Sequence, residues 1–346
     1  MRRLFGGPTA VMLALVAVVF ATGCTTPDDQ VGGGEKASAS TGESGGKQTQ
    51  KSNAPTVKTG PLTFAMVTHG DAGSFWSVVK RGAQDAAKAM GVTLRYTESN
   101  NDPQKQAQMI EAAVSQGVDG LAVSAPNVDA LRGALRKARA AGIPIVTLNS
   151  GAEDSQSLGA FTHVGQTETI AGEGAGKQLK AAGVTKLMCI IHEQGNLGLN
   201  QRCEGAKKGF GGDVLNLQVK GTADVATTLT EIQSRLEADK DIDGVLALNP
   251  DIAVAARDAV QGAGSDAKLA TFDLSGDVIR SIEDGRILFA VDQQQYEQGY
   301  LPIVFLTLNR RNLNTVGGGL PVLTGPGFVT KDNAGAVLKL AEAGTR

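Results

Sequence analysis

The chain has 346 residues, 41% hydrophobic and 20% charged, with a formal net charge of -2. That length suits two ordinary domains, and that composition suits a globular fold. The near-neutral balance gives no electrostatic case for nucleic acid, which would want a basic face, so no nucleic-acid partner is expected.

Residues 1–23 read as a targeting segment. Arg2 and Arg3 precede "AVMLALVAVVFA", an apolar run too short to span a bilayer as a mature helix. The run closes on "ATGC". Small residues followed by a cysteine resemble a bacterial lipobox, with Ala21 where Leu is usual. On this reading Cys24 becomes the lipidated first residue of the mature protein. The other reading is an ordinary secretory signal with an incidental cysteine. Residues 24–60 lack any apolar period and are rich in Gly, Ser, Thr and Lys, so they read as a flexible tether. Lipid and tether together imply an extracytoplasmic protein anchored to the cell membrane, where disulfides form.

From residue 61 strands and helices alternate. "LTFAMVT" reads as a buried strand, and "SFWSVVKRGAQDAAKAMG" as an amphipathic helix stopped by Gly91. "VTLRYT" is a strand, and Asp102 caps a helix that begins at Pro103. "DGLAVSA" is a strand, residues 128–141 a helix, and "IPIVTLN" a strand. The second half follows the same plan. It runs through "KLMCIIH", a helix over 199–210, "VLNLQV", a helix near 226–238, "DGVLALN", a helix near 251–262, and "KLATFD". This alternation predicts an α/β fold of doubly wound parallel sheets.

Cys189 lies in one of these strands and Cys203 in the helix that follows it. Such neighbours come within bridging distance, and the oxidising context favours a disulfide over two buried free thiols.

An internal repeat divides the folded part. "VDGLAVSAPNV" (118–128) aligns without a gap on "IDGVLALNPDI" (242–252). The same offset of 124 (273 − 149) places Asn149 on Asp273. One register held across two strands and the intervening helix predicts two lobes of like topology. Ligands of such sheets bind at the carboxyl ends of the strands, and two facing lobes make a cleft there. The strand-end candidates are Thr68, His69, Ser124, Asn149, Asn249, Asp273 and Gln293. Planar amides and carboxylates suit a ligand with several adjacent hydroxyls. Phe75 and Trp76, the latter the single tryptophan of the chain, follow the first strand. An aromatic face can cover the C–H face of a sugar ring. The competing reading is core packing from the first helical turn. The expected division is one ring inward and one on the ligand.

Other motifs fail. "AGEGAGKQ" (171–178) lacks the first Gly and the final Ser or Thr of a phosphate loop and falls inside a helix. "DKDIDG" (239–244) starts like a calcium loop but has Pro250 at its twelfth position. No zinc spacing and no nucleophile elbow accompany His192 and Glu193. No metal, no cofactor and no enzymatic turnover are expected.

Residues 61–335 resemble the type I periplasmic sugar-binding proteins, the ribose-binding group of ABC-transporter receptors. The likeness rests on "SFW", "NNDPQKQAQMIEAAVSQGVDGLAVSAPN", "AGIPIVTLN", "HVGQTETIAG", "FD" at 272–273 and "VDQQQYEQGY". It implies ligand contacts at Phe75, Trp76, Asn149, Asn200, Asn249, Asp273 and Gln293, with Ser74 and Ser124 as weaker candidates. His69 and Asp71 add to the same loop. Departures argue against ribose itself. Asn149 and Ser150 replace an Asp-Arg pair, Asn200 replaces an arginine, and Ala223 replaces an aromatic residue. Arg202 lies nearby, one helix position off. The resemblance also implies three crossings between lobes, near 164–167, Gln293 and Gly325. One lobe would comprise 61–165 plus 295–324, the other 166–294 plus 325–346. The implied function is a monomeric receptor that closes on a sugar or polyol and delivers it to the permease of an ABC importer. The alternative is the same module serving a chemoreceptor or histidine kinase.

Overall fold

In β1 (Thr63–Thr68) every residue after the first is buried, and successive side chains enter two different cores. Phe64 and Met66 join Trp76, Val79, Ile303 and Leu306 on one face. Ala65 and Val67 join Ile110, Leu121, Leu131 and Leu135 on the other. Burial on both faces is what a parallel sheet covered by helices on each side requires. The computed structural model describes residues 56–70 and 73–346. The signal, Cys24, most of the tether and Asp71 lie outside the described residues.

After β1 come α1 (Ser74–Met90), β2 (Thr93–Glu98), α2 (Pro103–Ser115), β3 (Gly120–Ser124), α3 (Val128–Ala140), β4 (Ile145–Leu148) and β5 (Ala160–Gly165). The second run is α4 (Glu168–Ala181), β6 (Lys186–Ile191), α5 (Leu197–Phe210), β7 (Asp213–Gln218), α6 (Val225–Ala238), β8 (Gly244–Ala247) and α7 (Pro250–Gly262). It continues through β9 (Lys268–Phe272), α8 (Gly276–Glu283) and β10 (Phe289–Asp292). The chain ends with α9 (Gln295–Asn312), β11 (Val322–Leu323), β12 (Gly327–Thr330) and α10 (Ala334–Glu342).

Two six-stranded sheets result, ordered β11-β5-β4-β3-β1-β2 and β12-β10-β9-β8-β6-β7. The first is parallel throughout, and in the second only β12 runs antiparallel, against β10. The strand orders are the same, as the repeat predicts. The chain passes from one sheet to the other after β5, after β10 and between β11 and β12. Three passages of the chain thus link two sheets of like order.

Local signals account for the boundaries. Asp102 accepts hydrogen bonds from the backbone N–H groups of Gln104 and Lys105 at 2.9 and 3.0 Å, starting α2 at Pro103. Gly91 ends α1 in the left-handed region with φ 64°. The helix predicted over 199–210 starts earlier, at Leu197, because Asn196 accepts from the Gly198 N–H at 3.0 Å. The phosphate-loop look-alike lies inside α4.

Glycines bring α4 and α5 into backbone contact. A Cβ on Gly172 would run into the Arg202 carbonyl oxygen, and one on Gly205 into that of Thr169. This approach sets the distance between the side chains of the two helices near the cleft.

Candidate functional site

The carboxyl ends of both sheets face a cavity of about 330 Å³, open mouth included. Its walls come from each lobe. His69, Phe75, Trp76, Asn149 and Ser150 stand on one side, and His192, Glu193, Asn196, Arg202, Asn249, Asp273 and Gln293 on the other.

His69 follows β1 and is fixed from beneath. Its backbone N–H donates to Ser124 Oγ at 2.9 Å, and its Nδ1 lies 2.7 Å from the same oxygen. The hydroxyl proton is thereby free for Nδ1. Its Nε2 lies 3.5 Å from Glu193 Oε2 in the opposite lobe and 3.4 Å from Asn196 Nδ2. Burial pushes the Glu193 carboxyl up. The His69 hydrogen bond and the electrostatic influence of the neighbouring His69 and His192 rings outweigh this and hold it well below the usual carboxylate range.

Trp76 stands edge-on to His69, ring centres 4.8 Å apart, and edge-on to Phe75 at 5.0 Å. Both aromatic residues are buried. Each borders the cavity and each belongs to the core beneath α1. The expected division, one ring inward and one outward, is therefore not what the structure shows. Gly70 makes room for the indole, since a Cβ there would enter the ring.

Amides and acids form the floor. Asn149 Nδ2 lies 3.4 Å from Gln293 Oε1 and 3.3 Å from Gln298 Oε1. Gln293 Nε2 donates to Asp273 Oδ1 at 2.7 Å. Asn249 caps α7, its Oδ1 accepting from the Asp251 and Ile252 N–H groups at 2.8 and 3.3 Å. Its amide N–H₂ is the part left for a ligand. Burial pushes the Asp273 carboxyl up to about 7, although Arg202 pulls the other way.

Arg202 is the main residue that sequence reasoning misplaced. Its Nε and Nη2 donate to the two oxygens of Glu168 at 2.6 and 3.0 Å, and its Nη1 donates to the Leu248 carbonyl at 3.3 Å. Nη1 also lies 4.0 Å from Asp273 Oδ2, and the guanidinium covers the Phe272 ring at 4.6 Å. Burial pushes the guanidinium down, but Glu168 outweighs it and raises it.

Of the predicted residues, His69, Phe75, Trp76, Asn149, Asn249, Asp273 and Gln293 meet at the cavity. Asn200, Ser74 and Ser124 do not line it. Asn200 lies elsewhere on α5, two residues before Arg202. Ser124 is fully buried beneath His69. The Ser74 N–H instead donates to Asp251 Oδ2 at 3.3 Å, joining the two lobes beside the cleft. Cys189 and Cys203 are bridged, as favoured from the sequence, which fastens α5 to β6. Among the described residues no cluster of metal-ligating side chains is present, and no helix is long and apolar enough to cross a membrane.

A family model described as a periplasmic binding protein domain matches residues 64–308. The chain belongs to the periplasmic binding proteins. This binding protein is 30% identical to the ribose import binding protein RbsB of Bacillus subtilis over 224 residues, 64% of this chain and 72% of the relative. It is 27% identical to the Escherichia coli RbsB over 236 residues, 67% of this chain and 79% of the relative. Among solved structures, a carbohydrate transporter protein from Acidothermus cellulolyticus 11B in complex with myo-inositol superposes with a TM-score of 0.81. That protein is 42% identical, with 83% of this chain and 100% of the other covered. This binding protein is thus built as a solute receptor that works outside the cytoplasm. It is not an enzyme.

Proposed function

We propose that the chain is a lipid-anchored receptor for a neutral, polyhydroxylated six-membered ring, a cyclitol or pyranose. Phe75 and Trp76 cover the ring's C–H face, and His69, Asn149, Asn249, Asp273, Gln293 and Arg202 take its hydroxyls. The lobes, 61–165 plus 295–324 and 166–294 plus 325–346, close over the ligand and present it to the importer's permease. Cys24 carries the lipid.

One observation carries this reading: amides and a carboxylate from both lobes converge beneath an aromatic wall around one cavity. The 42% identical neighbour, whose complex contains myo-inositol, supplies the first probe. Isothermal titration of the mature protein with myo-inositol, D-glucose, D-galactose and D-xylose tests it. Saturable one-site binding of a neutral ring is expected. Lack of heat with every neutral probe, in folded protein, would sink the proposal. Lipidation is checked by labelled palmitate in cells expressing the full chain, where Cys24→Ser should lose the label.

A further inference from the structure

We propose that Glu168 sets the charge preference of the cleft: by occupying the fork of Arg202 it makes the site refuse anionic ligands such as uronates and phosphorylated cyclitols. The inference rests on the reading of this cavity as the sugar site.

Among the described residues, Arg202 is the one arginine or lysine side chain that lines the cavity. A buried guanidinium beside polar groups is by itself a carboxylate or phosphate receptor, because its N–H groups match such anions two at a time. Here that face is already filled. Nε and Nη2 grip both oxygens of Glu168, and the remaining direction is shared between the Leu248 carbonyl and Asp273. One cation therefore faces two carboxylates. A third anion in the cleft would meet Glu193 and an arginine whose fork is already filled.

Glu168 does not itself line the cavity, so it acts through Arg202 as a positioning residue. It is the first residue of α4, directly after the crossing from β5, and an acid there is favoured by the helix dipole. Gln166 Nε2 donates to its Oε2 at 2.9 Å. The glycine contacts between α4 and α5 hold the carboxylate against the guanidinium. Charge selection is thus built behind the site, in the pairing of two helices.

The test is titration of the mature protein and two variants with three probes: myo-inositol, myo-inositol monophosphate and an inosamine cation. D-glucose with D-glucuronate serves as a second neutral and anionic pair. The wild type should bind the neutral member at least a hundredfold more tightly than the anion. In Glu168→Gln the neutral-to-anion ratio should fall at least tenfold, with a cooperative melt retained. Arg202→Met leaves the carboxylate alone and should move preference towards the inosamine. A purely structural role for Glu168 would weaken all probes alike and leave the ratio unchanged, and that result in folded Glu168→Gln overturns the proposal. A wild type that binds anion and neutral ring equally overturns it whatever the variants do. Failure of every neutral probe on the wild type overturns the ligand reading instead.

Discussion

Asn149 and Asp273 end the same strand of the two sheets, and both have left-handed backbone, with φ 60° and 70°. Asn and Asp tolerate that region better than other side-chained residues. The repeat has therefore preserved a backbone bend together with a planar polar group. The bend turns each side chain from the end of a buried strand into the cleft.

These two demands separate by mutation. Asn149→Ala removes the amide and keeps a Cβ in a conformation costing about 1–2 kcal/mol. Asn149→Gly removes the amide and relieves the backbone. Both should weaken ring binding about equally, while the glycine variant melts higher than the alanine variant. Equal melting of the two would show that the left-handed bend carries no cost at this position.

Much of this was legible in the chain. Strand ends, caps and the repeat are local or periodic signals, and they brought Asn149, Asn249, Asp273 and Gln293 to one cavity. The confusion of Asn200 with Arg202 has a geometric cause. Two residues rotate a side chain by about 200° around a helix, and the phase of α5 is fixed by Asn196 and by its glycine contact with α4. Neither is visible without knowing which helices touch. Glu168 gives no local sign either, because its partner is 34 residues away. Glu193 and His192 sit in a polar loop that resembles any solvated turn. Only the opposing lobe makes them cleft residues.

Trp76 should report on both functions at once. It is the single indole of the chain, so all tryptophan emission arises there. A bound ring should change that emission saturably, with the same midpoint as the calorimetric titration. Because the side chain is also core, Trp76→Ala should lose about 3–5 kcal/mol of stability, and Trp76→Phe much less. Emission that stays constant at calorimetric saturation would remove Trp76 from the ligand wall.

The disulfide adjoins the charged site. Cys203 follows Arg202 directly, and its bridge to Cys189 closes a separation of 14 residues. Cys189→Ala with Cys203→Ala should cost about 2–4 kcal/mol. Loosening of α5 should also weaken ring binding, since Arg202 rides on that helix. Chemical denaturation and titration of the same variant measure both. A stability loss with unchanged affinity would mean that the glycine contacts alone hold Arg202 in place.

Asp273 gives the free protein a pH dependence of definite sign. Its carboxyl is pushed up to about 7 from an ordinary value of 3.8, chiefly by burial. A carboxyl raised in the folded state binds its proton more tightly folded than unfolded. Stability from this group is therefore complete below the ordinary carboxylate value and falls as pH rises towards 7. Asp273→Asn keeps the shape and the tolerance for left-handed backbone but cannot ionise. In ligand-free protein its melting temperature should gain on the wild type from about pH 4 to about pH 7 and then run parallel. Above pH 7, where the carboxyl is ionised, Asp273→Ala should lose about 1.5–3 kcal/mol of ring binding as a charged acceptor disappears. If the melting difference between Asp273→Asn and wild type were flat across that range, Asp273 would be ionised throughout, neutralised by Arg202. Affinity for the neutral ring should then show no loss on the acid side of pH 7.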